Sequence, residues 1–459
     1  MEPLINLVII ILSATFLISF IVAVHELGHF LAARYYQVRV IRFKVGFGKT
    51  LFSRVDKYGT EFAFGLFPLG GYVQMQGEDV FLVNEELPEK DKGNSILNAS
   101  AGKRAFIAAS GPAANFLLAI CIYLISFMVG VKELAPVVGD IYPDTMAYES
   151  DLSTGDLILS INDTPVQTFT DLNRVLLSNA GSSGIFEIHY IDNISKEEKI
   201  TFVEIIKPYQ ISSEENLTRS FGISPYIPAK ISSILDGSPA EVSGLQSQDL
   251  IIEIDNKKIE TWSHLVEEIN FNKGRLVDIK VIRNKEELII STVLEEKIFD
   301  SGISRGRLGV TRISSIEDFP EELIIYTKLD LISSFIKAVD QTLNFSLLIL
   351  ESIKKMIFGS VSADNIGGPI QISMMAGSAA KTGLISFFSL MAFISINLGL
   401  INLLPIPILD GGQIFLIIIE KIKGSPISEN FLEYAFRLSI LFIGSLMIFA
   451  IFNDVMRII

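Results

Sequence analysis

Residues 24–30 read VHELGHF, two histidines four positions apart with a glutamate directly after the first. On a helix, positions i and i+4 share one face, so His25 and His29 can reach a single metal ion. Glu26 stands beside them as a carboxylate able to take a proton from water. A catalytic zinc asks for three protein ligands and one open position. Only four histidines occur in the chain. The other two, His189 in a β-like stretch and His264 in a helical one, read as surface or packing residues. Asp410 is the better third ligand, in the stretch INLLPIPILDGGQ at 401–413. Two imidazoles and a carboxylate suit zinc best among the common divalent metals. The competing reading is a pair of buried histidines bonded to backbone, with the glutamate paired elsewhere. Against it, ionisable groups in an apolar span are costly and by default functional.

The setting of these residues is apolar. The chain has 459 residues, 49% of them hydrophobic, and a mean hydropathy of +0.45. Four mostly apolar blocks, Leu4–Tyr36, Ala105–Val131, Leu384–Leu404 and Phe431–Phe452, are long enough to cross a bilayer. A net charge of −14 disfavours nucleic acid as a partner, because phosphate binding needs a basic face. The single cysteine, Cys121, excludes an internal disulfide and says nothing about redox compartment. Met1-Glu2-Pro3 lacks a basic n-region and the run after it is too long for a cleaved signal, so the first block reads as a retained span.

Lysine and arginine set the expected orientation. Eleven fall between Arg34 and Arg104 and none precedes His25, while Lys421 and Lys423 follow the third block. Segments 37–102 and 421–430 are thus expected to face the cytoplasm, with both termini and the region from 132 to 383 outside. His25 lies nine residues before Arg34 and Asp410 eleven before Lys421, so both sit at similar depth below the same face. Pro405 and Pro407 cannot continue a regular helix, and Gly411-Gly412 loosen the chain after Asp410. Irregular backbone at membrane depth survives only when buried in protein or lining a wet cavity. An oily span carrying hydrolytic residues must therefore border a hydrated pocket. Asn402 can donate to a substrate carbonyl there, or simply satisfy backbone in a broken helix.

Between the second and third blocks the chain repeats itself. DLSTGDLILSINDTPVQTFTDLNRVL (151–176) aligns without a gap on GLQSQDLIIEIDNKKIETWSHLVEEI (244–269), with Asp156 on Asp249, Ile161 on Ile254, Thr168 on Thr261 and Leu172 on Leu265. Each copy predicts a strand–turn–strand–helix unit. The wording GSPAEVSGLQSQDLIIEIDNKKIETW resembles a bacterial protease-associated PDZ domain. In such domains a short strand like Phe221-Gly222-Ile223 or Leu308-Gly309-Val310 forms a groove that captures chain ends by strand addition. The alternative is that both copies are spacers without peptide affinity, since fold alone does not give function.

Taken together, HELGH in the first block, GPAAN (111–115) in the second and NLLPIPILDGG (402–412) in the third resemble the site-2 proteases. Two spans, twin PDZ domains and two more spans are similar to the bacterial subgroup that cuts anti-sigma factors. The resemblance covers nearly the whole chain. It implies a polytopic α-helical membrane protein with four spanning helices, a membrane-associated β-hairpin region, and two extracytoplasmic α+β PDZ domains inserted between spans two and three. It implies a zinc bound by His25, His29 and Asp410, with Glu26 as catalytic acid/base. It also implies that Asn402, with Pro405 and Pro407, holds substrate. The implied substrate is a single-pass protein of the cytoplasmic membrane, an anti-sigma factor pre-cut outside by another protease, with the PDZ pair gating against bulky ectodomains.

Expected boundaries are 1–36 for the first span, 37–102 for a cytoplasmic or membrane-dipping β region, and 103–131 for the second span. The PDZ domains are expected at 136–227 and 228–312, and an amphipathic linker helix and loop at 329–380. The third span with its LDG segment takes 384–420, and the fourth span 431–453. Segments 43–52 and 60–79 resemble the family's β-hairpin, whose edge could bind an unwound substrate; Phe62, Phe64 and Phe67 could equally be interfacial anchors. Charges at Asp340, Glu351, Lys354 and Lys355 argue against a fifth span at 329–359. IGGPI (366–370) reads as a turn. Two rival functions remain: a membrane-anchored PDZ scaffold with a vestigial metal site, and an ion transporter. The transporter predicts polar residues along several spans and inverted repeats, whereas the only repeat found is in the insert.

Overall fold

The computed structural model describes residues 2–77, 94–179, 183–205, 220–298, 304–359, 362–425 and 427–457. The chain divides into two units. One comprises Met1–Val131, Lys328–Leu350 and Ala363–Ile459, the other Lys132–Thr327 and Glu351–Ser362.

The first unit carries the apolar helices. Among the described residues four are long and apolar enough to span a membrane: Leu4–Tyr35, Ala101–Val129, Leu384–Asn402 and Asn430–Met456. This is a polytopic membrane protein. Much of the outer surface of the first helix is apolar, with Leu4, Leu7, Ile11, Leu12 and Phe16 all exposed, as a lipid-facing helix requires. Where helices meet, small residues let the backbones approach. A Cβ on Gly28 would lie 2.2 Å from the Ser110 carbonyl oxygen of the second span and 2.9 Å from the Ala114 Cβ. Gly399 brings the third span within 3.3 Å of the Pro112 carbonyl in the same sense.

After the first span, strands Val40–Val55 and Glu61–Met75 form one long antiparallel ribbon. Its inner end joins the core, where Phe30, Val38, Val40, Val73, Met75 and Ile107 are buried together. Phe62 belongs to that core, 5.4 Å from the Phe30 ring in an edge-on contact. Phe64 and Phe67 are exposed, with Leu51, Phe52 and Val55. The expected β region also ran through 78–93, which lies outside the described residues.

The loop expected after the amphipathic helix Leu331–Ile357 is a second helix, Pro369–Thr382. It packs on the first span, with Gly377 set against Ile10. IGGPI is not a free turn but the start of this helix. Buried Asp454 of the fourth span accepts the backbone N–H groups of Gly368 (2.8 Å), Ile370 (2.9 Å) and Gln371 (3.1 Å). Those donors would otherwise be orphaned at a helix start. A capping carboxylate more than eighty residues away leaves no local sequence signature. The amphipathic helix is anchored through Phe345, whose ring stacks on Tyr123 of the second span and meets Phe393 of the third edge-on.

The second unit holds PDZ-like folds. Strands Leu157–Ile161 and Thr164–Pro165, then helix Phe169–Asn179, realise the first repeat; Leu250–Ile254, Lys257–Lys258 and Trp262–Phe271 realise the second. The two-residue turns Asn162-Asp163 and Asp255-Asn256 carry positive φ at all four positions, as tight hairpins of this type demand. Each repeat builds a four-stranded antiparallel sheet in the same order, completed by Gly184–Ile191 and Glu198–Ile205 or by Leu276–Arg283 and Glu286–Val293. The late short strands Ile223–Pro225 and Val310–Arg312 pair back on Val138–Ile141 and Ile231–Ile234. Each repeat buries its own core, with Ile158, Ile161, Leu172 and Ile188 in one and Ile251, Ile254, Leu265 and Ile279 in the other. His189 lies between Glu187 (2.9 Å) and Glu198 (3.5 Å) on a sheet, and the His264 Nε2 stands 3.8 Å from Asp140.

Candidate metal centre

The first span presents His25 and His29 toward the other helices of its unit and Glu26 toward the β-ribbon. Both imidazoles are buried. Their Nε2 atoms point at one another across 3.2 Å. Asp410 arrives from the third span through a break in that helix. Residues 403–409 leave the helix after Asn402, and a new helix, Asp410–Lys423, starts at the aspartate itself. The turn is held by Leu403 N–H to the Gly399 carbonyl (3.2 Å) and Leu409 N–H to the Ile406 carbonyl (2.8 Å). The two glycines after Asp410 are dictated by space. A Cβ on Gly411 would sit 2.1 Å from the Leu403 oxygen, and one on Gly412 2.0 Å from the Ile406 oxygen. Only bare backbone can tuck the new helix against the turn, and that close fit aims the Asp410 carboxylate inward.

The carboxylate oxygens lie 3.1 Å from His25 Nε2 and 3.4 Å from His29 Nε2. One ligand atom from each of the three residues falls within 4.8 Å of the other two. Among the described residues this is the group of histidine, cysteine and carboxylate side chains placed to share an ion. Two observations test whether zinc fits. The first is donor chemistry, since two neutral imidazoles and one carboxylate leave an open fourth position. The second is room. A Cβ on Gly111 would stand 2.2 Å from His29 Nε2 and 2.8 Å from His25 Nε2, so the second span leaves a space there that the smallest side chain would fill. The residues fit the ion.

The far side of each ring is also engaged. His29 Nδ1 donates to the Ile107 carbonyl of the second span at 2.8 Å. His25 Nδ1 faces the side-chain amide of Asn115 at 3.1 Å. Glu26 lies against the β-ribbon. Gly71 of its second strand lets the ribbon approach, since a Cβ there would reach 3.3 Å from the Glu26 Cγ.

Asn402 is half-buried with its amide nitrogen 3.4 Å from His25 Nε2, at the rim of the cluster. Pro405 is exposed and Pro407 half-buried in the turn between Asn402 and Asp410. The structure thus gathers His25, Glu26, His29, Asp410 and Asn402 around one point, and places the two prolines on the loop that connects the last two. His189 and His264 belong to the other unit. Gly111 and Asn115 carried no role in the sequence reading beyond their place in GPAAN. Their spacing of four on one helix face, in register with the HELGH face, was the available signal.

Comparison with known proteins points the same way. Residues 13–446 match peptidase family M50. A protein of Haemophilus influenzae named regulator of sigma E protease is 33% identical over 96% of this chain and 97% of its own. The regulator of sigma-E protease RseP of Escherichia coli is 33% identical over 96% of this chain and 98% of its own. A Pasteurella multocida protein named as a zinc metalloprotease is also 33% identical, over 96% of this chain and 97% of its own. A solved PDZ domain of an SdrC-like protein from Listeria monocytogenes aligns with 20% of this chain and 92% of its own length at 24% identity, TM-score 0.17, and carries no weight. The match to M50 runs through the HELGH span, the break at Asn402 and the Asp410 helix alike, and the chain therefore belongs to peptidase family M50 as a site-2 intramembrane zinc metalloprotease of regulated intramembrane proteolysis.

Proposed function

We propose that His25, His29 and Asp410 bind one zinc ion and that Glu26 is the acid/base of peptide-bond hydrolysis within a substrate's transmembrane segment. The convergence of their ligand atoms within 4.8 Å carries this reading. When bound, zinc supplies a Lewis acid that acidifies water and polarises a carbonyl. Glu26 takes the proton from the attacking water and returns it to the leaving amide nitrogen, so it must sit next to the ligands without being one. Its side chain packs beside Gly71 on the ribbon side of the site, where an extended substrate can lie. Asn402, at the start of the broken segment, donates to a substrate carbonyl, and the turn through Pro405 and Pro407 shapes the seat.

The substrate is a single-pass membrane protein that has already lost its ectodomain. The names of the relatives point to the sigma-E pathway, and an anti-sigma factor has the required single span. The two PDZ-like repeats lie outside the cytoplasm with both termini, and the zinc site lies near the cytoplasmic face, in keeping with the lysine and arginine distribution. The bilayer is the enzyme's solvent and nucleic acid is not a partner.

Co-expression with tagged single-span proteins, with and without their ectodomains, tests the proposal. Wild type should give a fragment shortened within the span only when the ectodomain is absent, and Glu26→Gln should give none. Biological activity fully retained by Glu26→Gln would favour a non-catalytic scaffold instead.

A further inference from the structure

The face of the second span turned toward the metal centre carries one large polar side chain, Asn115. It is completely buried. Its amide lies 3.1 Å from His25 Nδ1, while its own Oδ1 has no hydrogen-bond partner among the described residues. An unpartnered buried oxygen is costly and asks for an explanation. The His25 Nε2 atom, turned toward Asp410 and His29, is the atom free to bind a cation. An imidazole that ligates through Nε2 keeps its proton on Nδ1 and must donate it. A half-turn of the Asn115 amide exchanges its nitrogen and oxygen and gives Oδ1 that proton. The backbone that carries this side chain is held from behind. Ser395 of the third span, itself fully buried, donates to the Asn115 backbone carbonyl at 2.9 Å.

We infer that Asn115 is the positioning residue of the zinc centre: it fixes the tautomer and ring orientation of His25 by accepting the Nδ1 proton, and Ser395 fixes Asn115. The matching device on His29 is the Ile107 carbonyl. The second span thus supplies the outer partners of both histidines, and Gly111, one turn before Asn115, leaves the room between them. This inference rests on the reading of His25, His29 and Asp410 as zinc ligands.

The experiment is a zinc titration of the purified full chain against a chelator of known affinity. It compares wild type with Asn115→Leu, Asn115→Asp and Asn115→Ala, and uses His29→Ala as the control for the site. Melting of the metal-free proteins in detergent is followed in parallel. Leucine matches the volume and cannot accept a proton; aspartate accepts it better than the amide. The expected result is a 10–100-fold loss of zinc affinity in Asn115→Leu and Asn115→Ala, and affinity within a few-fold of wild type in Asn115→Asp. Melting of the metal-free Leu variant should match wild type. Affinity kept by Asn115→Leu, or lost equally by Asn115→Asp, would overturn the inference, and should Leu misfold, the Ala and Asp pair decides it. Zinc bound equally by wild type and His29→Ala would instead overturn the ligand assignment beneath it.

Discussion

Gly111→Ala separates the needs of the metal site from the needs of the helix. In the interior of a helix alanine is favoured over glycine by about 0.8–1 kcal/mol, whereas overpacking a buried site costs about 1–3 kcal/mol, so the metal-free protein should lose at most about 2 kcal/mol of stability. The added Cβ, however, would lie 2.2 Å from His29 Nε2 and 2.8 Å from His25 Nε2. Ordinary contact begins near 3.4 Å, so the His29 ring must retreat by about 1 Å. A displacement of about 1 Å in a catalytic constellation costs on the order of 100-fold in rate, or about 2.7 kcal/mol. The helix gain thus offsets part of the packing cost, and the loss at the metal site is the larger effect. Cleavage of a tagged single-span substrate should fall by about two orders of magnitude and zinc affinity should fall with it, while the metal-free melting temperature drops by no more than a few degrees. Cleavage within about threefold of wild type would refute the close-fit reasoning; a metal-free protein that no longer folds would show that the space serves packing rather than the ion.

Two further outcomes concern contacts away from the zinc. Replacing Asp454 by alanine orphans three backbone donors at the start of helix Pro369–Thr382, at a cost of about 1–3 kcal/mol; hydrogen exchange should show lost protection at Gly368, Ile370 and Gln371, and unchanged protection there would contradict the capping role. In the repeat unit, the hydrogen bond to Glu187, with Glu198 beside it, raises the pKa of His189 above the ordinary 6.5. Its contribution to stability is then fully present below about 6.5 and lost as pH rises through the folded-state value. The NMR titration midpoint of His189 should fall toward 6.5 in Glu187→Gln, and a midpoint that does not move would contradict the pairing.

The chemistry legible in the sequence was whatever compresses into local spacing. HELGH names a metal pair because i and i+4 meet on a helix, and Pro405 and Pro407 announce broken helix because proline cannot continue one. The insert announced itself by repeating at a fixed offset. Asn115 escaped because its partner, His25, is ninety residues away and a lone asparagine in GPAAN looks like any polar residue among small ones. Asp454 escaped for the same reason, a lone acidic residue at the end of an apolar span whose purpose is visible only from Gly368. Helix Pro369–Thr382 was missed because its capping carboxylate is not nearby in sequence, and IGGPI read locally is a turn. The glycines at 411 and 412 were legible as flexible residues, but their role is the opposite: each marks a place where rigid backbone leaves no room for a side chain.

The central claim joins binding and chemistry to different residues, so one paired measurement decides it: zinc per chain and intramembrane cleavage, determined on the same preparations of wild type, Glu26→Gln and Asp410→Ala. Wild type should carry one zinc and give a shortened fragment, Glu26→Gln one zinc and no fragment, and Asp410→Ala neither. Cleavage by Glu26→Gln at the wild-type rate, or full zinc in Asp410→Ala, would contradict it.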